Sequence, residues 1–133
     1  MMNEHAVGID VSKKKLDICV VSANKTKTKV LKNTSAGHGE LERWLRQRDL
    51  PKTTPVVLEA TGPYSERVAT MLADAGWAVS VENPARITGF AQSELSRNKT
   101  DKADAKLIAR FAQKAELQLW QPPSLAVREL RAL

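Results

Sequence analysis

The feature that most constrains the fold is a run of three short segments near the N-terminus with strand-like patterns, the first a short apolar run that ends in an acid and the next two alternating with a period of two. The segments are HAVGIDVS, KLDICVVSA and KTKTKVLK, which begin at His5, Lys15 and Lys25. Apolar residues occupy every second position of the middle segment, and lysines alternate with threonine and valine in the third, which is typical of β-strands. The simplest assembly of three such strands is an antiparallel meander.

Beyond these segments the apolar spacing changes to that of helices, interrupted by two further strands. Helical spacing is found in TSAGHGELERWLRQRD and GPYSERVATMLADAG, whereas TPVVLEA and WAVSVEN have the short apolar pattern of strands. From Pro84 to Lys99 the pattern is helical or loop-like, and TDKADAKLIARFAQKAE is the most regular helix of the chain. Three strands followed by alternating helices and strands predict an α/β fold.

The C-terminal end of the chain has the pattern of a separate element. Pro122 and Pro123 interrupt the chain, and SLAVRELRAL then begins a new helix with Ser124 as its N-cap. A chain of 133 residues suits one domain. We therefore expect a single catalytic domain over residues 1–120, followed by residues 121–133 as the start of a helical, coiled-coil-like linker whose continuation is missing.

The balance of charge favours a polyanionic partner. Twenty-one Lys and Arg residues against fifteen Asp and Glu residues give a net charge of +6, so nucleic acid is the first candidate and an anionic membrane the second. No apolar run is long enough to span a membrane, and MMNEHAVGID lacks the basic and long apolar regions of a signal peptide. We expect a cytoplasmic protein without a membrane partner.

Cysteine and tryptophan side chains have structural explanations. Cys19 has no second cysteine as a partner and lies in the apolar run LDICVV, so we expect a buried small side chain. Trp44, Trp77 and Trp120 lie in apolar-periodic contexts, which predicts core or interface anchors rather than base-stacking platforms.

Four acidic residues lie where an α/β sheet exposes a site. Asp10 ends the first strand, Glu59 ends the strand PVVLE, and Asp101 and Asp104 open the late helix, where residues three apart share one face. Clustered carboxylates repel each other, and a hard divalent cation neutralises them; Mg²⁺ fits best, with Mn²⁺ as a substitute. Two such ions about 3.5–4 Å apart can activate a nucleophile and stabilise the leaving oxygen of a phosphodiester.

Each acid also has an ordinary structural explanation. Capping and the helix macrodipole account for Asp101 and Asp104 without a metal. Asp10 fits a turn between two strands, and Glu59 fits an exposed strand end before TGPY. The metal site is therefore a hypothesis that depends on the four acids acting together.

Three blocks of the sequence resemble a known family. VGIDVSKKKLDICVV, VVLEATGPYSERVATMLADAGWAVSVENPARI and SRNKTDKADAKLIARFAQ are similar, in this order, to the N-terminal domain of the DEDD-type transposases, the insertion-sequence family that includes the pilin-gene invertase. The resemblance implies a ribonuclease H-like (RuvC-like) fold, a mixed sheet flanked by helices with the three-stranded antiparallel meander first. The family's acidic tetrad, which is both catalytic and metal-binding, falls on Asp10, Glu59, Asp101 and Asp104.

The resemblance also implies an activity. Members of the family are Mg²⁺-dependent DNA recombinases that cleave and transfer strands to move or invert a DNA segment in bacterial or archaeal cells, and some use a structured guide RNA. The family has a C-terminal domain with a nucleophilic serine, so this chain would hold half of a composite active site, incomplete or inactive by itself. The helix SLAVRELRAL indicates pairing into a homo-oligomer.

Basic residues near the acids are candidate phosphate contacts, with an affinity for DNA that salt should weaken. The residues expected to bind nucleic acid are Lys13, Lys14, Arg86, Arg97, Lys99 and Lys102. Any single lysine among them also fits a solvated face. Lys25, Lys27 and Lys29 could add a stripe of backbone contacts, although lysines that protect an edge strand from aggregation explain them equally well.

Two other functions fit parts of the pattern. An actin-like phosphotransferase also opens with GID on a first strand, but its site needs small residues after the acid, and Val11, Ser12 and Lys13 follow here. The second alternative is a non-catalytic nucleic-acid-binding or assembly module. Binding of Mg²⁺ or Mn²⁺ by the four acids would distinguish the enzyme from this module.

Overall fold

The computed structural model describes residues 3–94 and 104–132, which form a five-stranded sheet with helices on both faces. The predicted order of elements is confirmed. The strands are β1 (His5–Val11), β2 (Lys15–Ser22), β3 (Lys25–Lys32), β4 (Pro55–Glu59) and β5 (Ala78–Glu82). The helices are α1 (Ser35–Arg46), α2 (Pro63–Asp74), α3 (Pro84–Glu94), α4 (Ala105–Lys114) and α5 (Leu125–Ala132).

The sheet is mixed, in the spatial order β3-β2-β1-β4-β5. β1, β2 and β3 form the predicted antiparallel meander, whereas β4 runs parallel to β1 and β5 runs parallel to β4. The alternation of lysines with threonine and valine in β3 predicted a strand with one face exposed to solvent, and this was wrong: of its eight residues Leu31 alone is buried. The reason is that β3 lies at the edge of the sheet, where both of its faces meet solvent along most of its length.

One face of the sheet is closed by a large apolar cluster under α1 and α2. Alternate residues of β1 and β2 enter this cluster together with Leu41 and Leu45 of α1 and Val68 and Leu72 of α2. Trp77 is buried in the same cluster, which confirms its predicted role as a core anchor. This face contains most of the large buried side chains and therefore carries most of the hydrophobic stabilisation.

The opposite face is covered by α4, whose backbone lies directly on β1. A Cβ atom added to Gly8 would come within 2.3 Å of the amide nitrogen of Ala109 and 2.5 Å of the carbonyl oxygen of Ala105. The backbone N–H of Asn3 donates to the carbonyl of Gln113 at 2.8 Å, which ties the end of α4 to the start of β1. The helix thus runs against the direction of β1 and brings its N-terminus to the end of the strand where Asp10 lies.

The C-terminal segment leaves α4, runs along β5 and returns to α2. The Trp120 N–H donates to the carbonyl of Val79 at 2.8 Å. Ser124 caps α5 as predicted, because its Oγ accepts from the Val127 N–H at 3.2 Å, and Arg128 of α5 pairs with Asp74 of α2 at 2.8 Å. The division at residues 120 and 121 stays a prediction. Among the helices of residues 3–94 and 104–132, none has both the length and the apolarity to span a membrane.

Candidate active site

Four acidic side chains lie next to one another across the sheet, one on each of β2, β1, β4 and β5. Asp17 is the register partner of Asp10, and Glu59 is the register partner of Glu82. Ile9 pairs with Leu58, which places the following residues, Asp10 and Glu59, side by side on neighbouring parallel strands. Partners on adjacent strands point to the same face. The alternation that puts Gly8 under α4 therefore puts all four carboxylates on the α4 side.

The helix side of the site begins with Asp104. This residue is the N-cap of α4: its backbone is extended, with φ −108° and ψ 174°, and its side chain accepts a hydrogen bond from the Leu107 N–H at 2.9 Å. The helix begins at Ala105, so the expectation that Asp104 lies inside it was wrong, whereas the face it shares with Asp101, which is outside the described residues, stays a prediction. The capping explanation is confirmed for Asp104, whose second carboxylate oxygen takes no part in the cap.

Four of the residues predicted to form the site are outside the part of the chain that the structure describes. These are Asp101, Arg97, Lys99 and Lys102. The structure brings together Asp10 and Glu59, and it brings the start of α4 to the same end of the sheet. The fourfold convergence of the tetrad stays a prediction.

The donor set matches a hard cation in its chemistry. Asp10, Glu59 and Asp104 offer carboxylate oxygens, the ligands that Mg²⁺ and Mn²⁺ prefer, and Asp10 and Glu59 are half-buried on adjacent strands. Within residues 3–94 and 104–132, no group of three or more His, Cys, Asp or Glu side chains is placed to hold a metal ion. The described residues thus supply a pair of neighbouring oxygen ligands, to which Asp104 and Asp101 would have to be added.

The sequence-based reasoning missed the two outer members of the row of acids. Glu82 has a side chain that is 9% exposed, and its Oε1 lies 2.9 Å from Nη1 of Arg86. Asp17 is 34% exposed and lies 3.8 Å from the Nζ of Lys15. A signal for Glu82 was present, because VSVE repeats the pattern of VVLE, an apolar strand that ends in glutamate.

Arg86, predicted to bind nucleic acid, makes three contacts within the protein. Besides its ion pair with Glu82, its Nη2 donates to the carbonyl of Glu116 at 2.5 Å. Its guanidinium also lies over the ring of Phe111, 5.2 Å from the centroid. Two of the five N–H donors of the guanidinium thus bond to the protein, and the side chain is 45% exposed. Its role in binding nucleic acid stays a prediction.

Lys13 and Lys14 lie in the exposed turn that follows β1 directly after Asp10 and Val11. The turn is held by the Ser12 N–H, which donates to the carbonyl of Lys15 at 3.0 Å. Both lysines are therefore presented to solvent at the end of the sheet that carries the acids, as the sequence predicted, and their contact with nucleic acid stays a prediction.

A polar network that sequence reasoning did not identify supports this turn. The Nδ2 group of Asn33 donates to the carbonyls of Ser12, at 2.9 Å, and Tyr64, at 3.1 Å. Its Oδ1 accepts from Nε2 of His38 at 2.6 Å, which assigns the proton of His38 to Nε2. Burial, with a smaller contribution from Arg67, lowers the pKa of His38, so this histidine is a neutral structural donor. The network links the turn after β1 to the starts of α1 and α2.

Cys19 is fully buried in the sheet, as predicted. Burial raises the pKa of its thiol. A protonated, enclosed thiol is neither a nucleophile nor a metal ligand, which agrees with a structural role for Cys19.

Comparisons with known proteins identify a transposase family. The model of the DEDD_Tnp_IS110 family, described as a transposase, matches residues 7–133. The pilin gene-inverting proteins of Moraxella bovis and Moraxella lacunata are each 35% identical over 133 residues, covering 99% of this chain and 41% of theirs. The chain therefore spans about two-fifths of the length of these relatives.

The fold comparison is independent of close sequence similarity. The structure of T. thermophilus RuvC in complex with a Holliday junction substrate matches with a TM-score of 0.54 at 16% identity, over 89% of this chain and 100% of that one. This likeness confirms the predicted RuvC-like, ribonuclease H-like fold.

Proposed function

Because this chain belongs to the DEDD_Tnp_IS110 transposase family, we propose that it supplies the metal-dependent, DNA-cleaving half of a recombinase that moves or inverts an insertion sequence. The observation that carries the proposal is that Asp10 and Glu59 directly follow the paired residues Ile9 and Leu58 on adjacent parallel strands, at the sheet end to which α4 brings Asp104. The relatives are named for inverting a pilin gene, and inversion of a DNA segment requires strands to be cut and rejoined.

In this proposal the carboxylates hold and orient the reacting groups. Asp10 and Glu59 act as the neighbouring ligands of Mg²⁺, Asp104 adds the oxygen that its cap leaves unused, and Asp101 completes the tetrad. When bound, Mg²⁺ would activate the attacking oxygen and stabilise the leaving oxygen of a phosphodiester. Lys13 and Lys14 bind the phosphates of DNA beside the acids, together with Arg97, Lys99 and Lys102.

We further propose that the complete reaction needs parts beyond these residues. They are a second domain with a nucleophilic serine, a structured guide RNA and a second copy of the protein, in the cytoplasm of a bacterial or archaeal cell. Pairing through α5 is supported by its apolar residues Leu125 and Leu130, which are 74% and 69% exposed.

Titration calorimetry with Mn²⁺ tests the metal site directly. We expect Asp10→Asn and Glu59→Gln each to weaken Mn²⁺ binding at least about tenfold, because each removes one charged oxygen ligand. Glu40→Gln, on the exposed surface of α1, is the control and should bind as the parent chain does. Absence of Mn²⁺ binding by the parent chain, or equal binding by all four proteins, would contradict a metal-dependent mechanism.

The DNA contacts have a separate readout in the salt dependence of duplex binding, measured by fluorescence anisotropy. Lys13→Ala and Lys14→Ala should each reduce the slope of log affinity against log salt by about one, because each removes one phosphate contact. Lys52→Ala, which lies near Trp77 and away from the acids, is the matched control. Unchanged slopes in both turn variants would place the DNA on another surface.

A further inference from the structure

Glu82 places a further carboxylate beside the proposed pair of metal ligands. It is the last residue of β5 and the register partner of Glu59, so both side chains leave the sheet on the same face. The backbone reinforces this closeness, because the N–H of Ala60 donates to the carbonyl of Glu82 at 2.9 Å. With a side chain only 9% exposed, Glu82 receives little screening from water and needs a charged partner within the protein.

Arg86 supplies that charge from a fixed position. Asn83 caps the start of α3 by accepting from the Ala85 N–H at 2.7 Å, which places Arg86 one helical turn beyond Glu82. The contacts of Arg86 with the Glu116 carbonyl and the Phe111 ring then hold the guanidinium against Glu82. An arginine held by these three contacts is suited to compensating the charge of Glu82 rather than to binding a phosphate of DNA.

Asp17, the acid at the opposite end of the four from Glu82, differs from it in exposure and in its partner. Asp17 beside Asp10 is about a third exposed and has a loose partner in Lys15 at 3.8 Å. Water screens that carboxylate, so a fixed cation is not needed there. The tight pair occurs on the buried flank, next to Glu59.

We propose that Glu82 and Arg86 form a positioning pair for the candidate metal site. Arg86 neutralises the carboxylate next to Glu59 and holds it outside the ligand set, so that the negative charge available to a cation is concentrated on Asp10 and Glu59. This inference rests on the proposed function, because it requires a divalent cation at those two residues. It also gives Arg86 a role that does not involve contact with DNA.

A cycle of charge changes tests the pair through Mn²⁺ affinity, measured by calorimetry at pH 8 and low salt. Glu82→Gln leaves the charge of Arg86 uncompensated near the site and should weaken Mn²⁺ binding about threefold. Arg86→Gln leaves an extra carboxylate and should strengthen binding by about the same factor, and the double variant should return to the parent affinity. Opposite effects of the two single changes are the signature of charge balance, since a loss of structure would weaken binding in both.

The matched control is the pair Glu42 and Arg46, which has the same spacing of four residues and an N to O distance of 2.7 Å but lies on the other side of the sheet. Glu42→Gln and Arg46→Gln should leave Mn²⁺ affinity unchanged. Arg86→Gln should also leave the salt slope of DNA binding unchanged, and a slope reduced by about one would overturn the inference in favour of a phosphate contact.

The inference is also overturned if both single variants shift Mn²⁺ affinity in the same direction, or if neither shifts it. Should Arg86→Gln fail to fold, Arg86→Lys, which keeps the charge, must retain the parent affinity while Glu82→Gln weakens it. If the parent chain binds no Mn²⁺, both the proposed function and the role of the Glu82–Arg86 pair are contradicted. If the parent chain binds Mn²⁺ and none of the Glu82 and Arg86 variants changes the affinity, only the role of the pair is contradicted.

Discussion

On the face covered by α1 and α2, β1 contributes Val7, Ile9 and Val11, each no more than 4% exposed. On the face covered by α4, the same strand contributes Ala6, Gly8 and Asp10, which are a small buried side chain, no side chain and a half-buried carboxylate. The first face joins an extensive apolar cluster, whereas the second allows a helix backbone to approach the strand closely.

This difference teaches that most of the large apolar side chains lie on one side of the sheet, whereas the site is placed on the other. Large side chains on the first face anchor α1 and α2. On the second face, glycine under Ala105 and Ala109 lets α4 lie low enough for Asp104 to reach the end of β1 that carries Asp10. Substitutions on one face, each compared with a matched substitution elsewhere, test whether the two faces differ in this way.

Gly8→Val should have the largest effect. A branched side chain at this position would overlap the backbone of α4, which cannot move without losing its contact with β1, so we expect a loss of about 3 kcal/mol or more in the free energy of unfolding. Gly89→Ala on α3 is the control, because a Cβ there meets nothing within 4 Å and should be neutral or slightly stabilising. Equal urea midpoints for the two variants would show that α4 does not pack as described.

Asp104 allows capping and metal binding to be separated, with an intermediate effect. Asp104→Ala should cost about 1 kcal/mol through the lost cap and should weaken Mn²⁺ binding, whereas Asp104→Asn should keep the cap and still weaken Mn²⁺ binding. In the proposed full-length recombinase, Asp104→Asn should abolish strand cleavage. Thr34→Ala removes the matching cap of α1, where Thr34 Oγ1 accepts from the Gly37 N–H at 3.0 Å. That control should lose a similar amount of stability, measured by thermal unfolding, and should keep the parent affinity for Mn²⁺. If Asp104→Asn and Thr34→Ala change the Mn²⁺ affinity equally, Asp104 is not a ligand.

Glu42→Gln should have the smallest effect, which appears in the pH dependence of the free energy of unfolding. Glu42 lies on the face covered by α1 and α2 and, like Glu82, pairs with an arginine four residues later. Burial alone would raise the pKa of Glu42, but hydrogen bonds from Trp77 at 3.0 Å and Arg46 at 2.7 Å, with the charges of Arg46 and Lys52, hold it below its ordinary value of 4.5. A carboxyl with a pKa lower in the folded state contributes stability above its unfolded pKa and loses it as the pH falls through the folded value.

The expected consequence is a loss of less than about 1 kcal/mol for Glu42→Gln at neutral pH, which shrinks as the pH falls below 4.5. Urea unfolding across this acid range measures the effect, and Glu40→Gln on the exposed surface of the same helix is the reference. A difference between parent and Glu42→Gln that stays constant from neutral to acid pH would show that the carboxylate is not held by these partners.

Much of the fold could be predicted because the deciding signals are local. The short apolar run of β1, the period-two pattern of β2, the helical spacing of α1 and the N-cap at Ser124 are all local signals, and each of these elements was confirmed. The start of α4 was misplaced because TDKAD has no local feature that decides between a helical turn and an extended cap, and the hydrogen bond from Leu107 to Asp104 selects the cap. The sequence offered an edge position for β3 as one of two explanations of its lysines, and the strand order decides for it, because an edge position depends on which strands pair.

The sequence by itself determined the identity and order of the elements, the family, and the presence of acids at the ends of β1 and β4. Only the tertiary structure decided that Asp17 and Glu82 join Asp10 and Glu59 on one face, that Arg86 is engaged by Glu82, and that α4 rests on Gly8. The physical reason is that strand order, register and helix docking are set by contacts between residues far apart in the chain, such as Gly8 and Ala109, and no local periodicity encodes them.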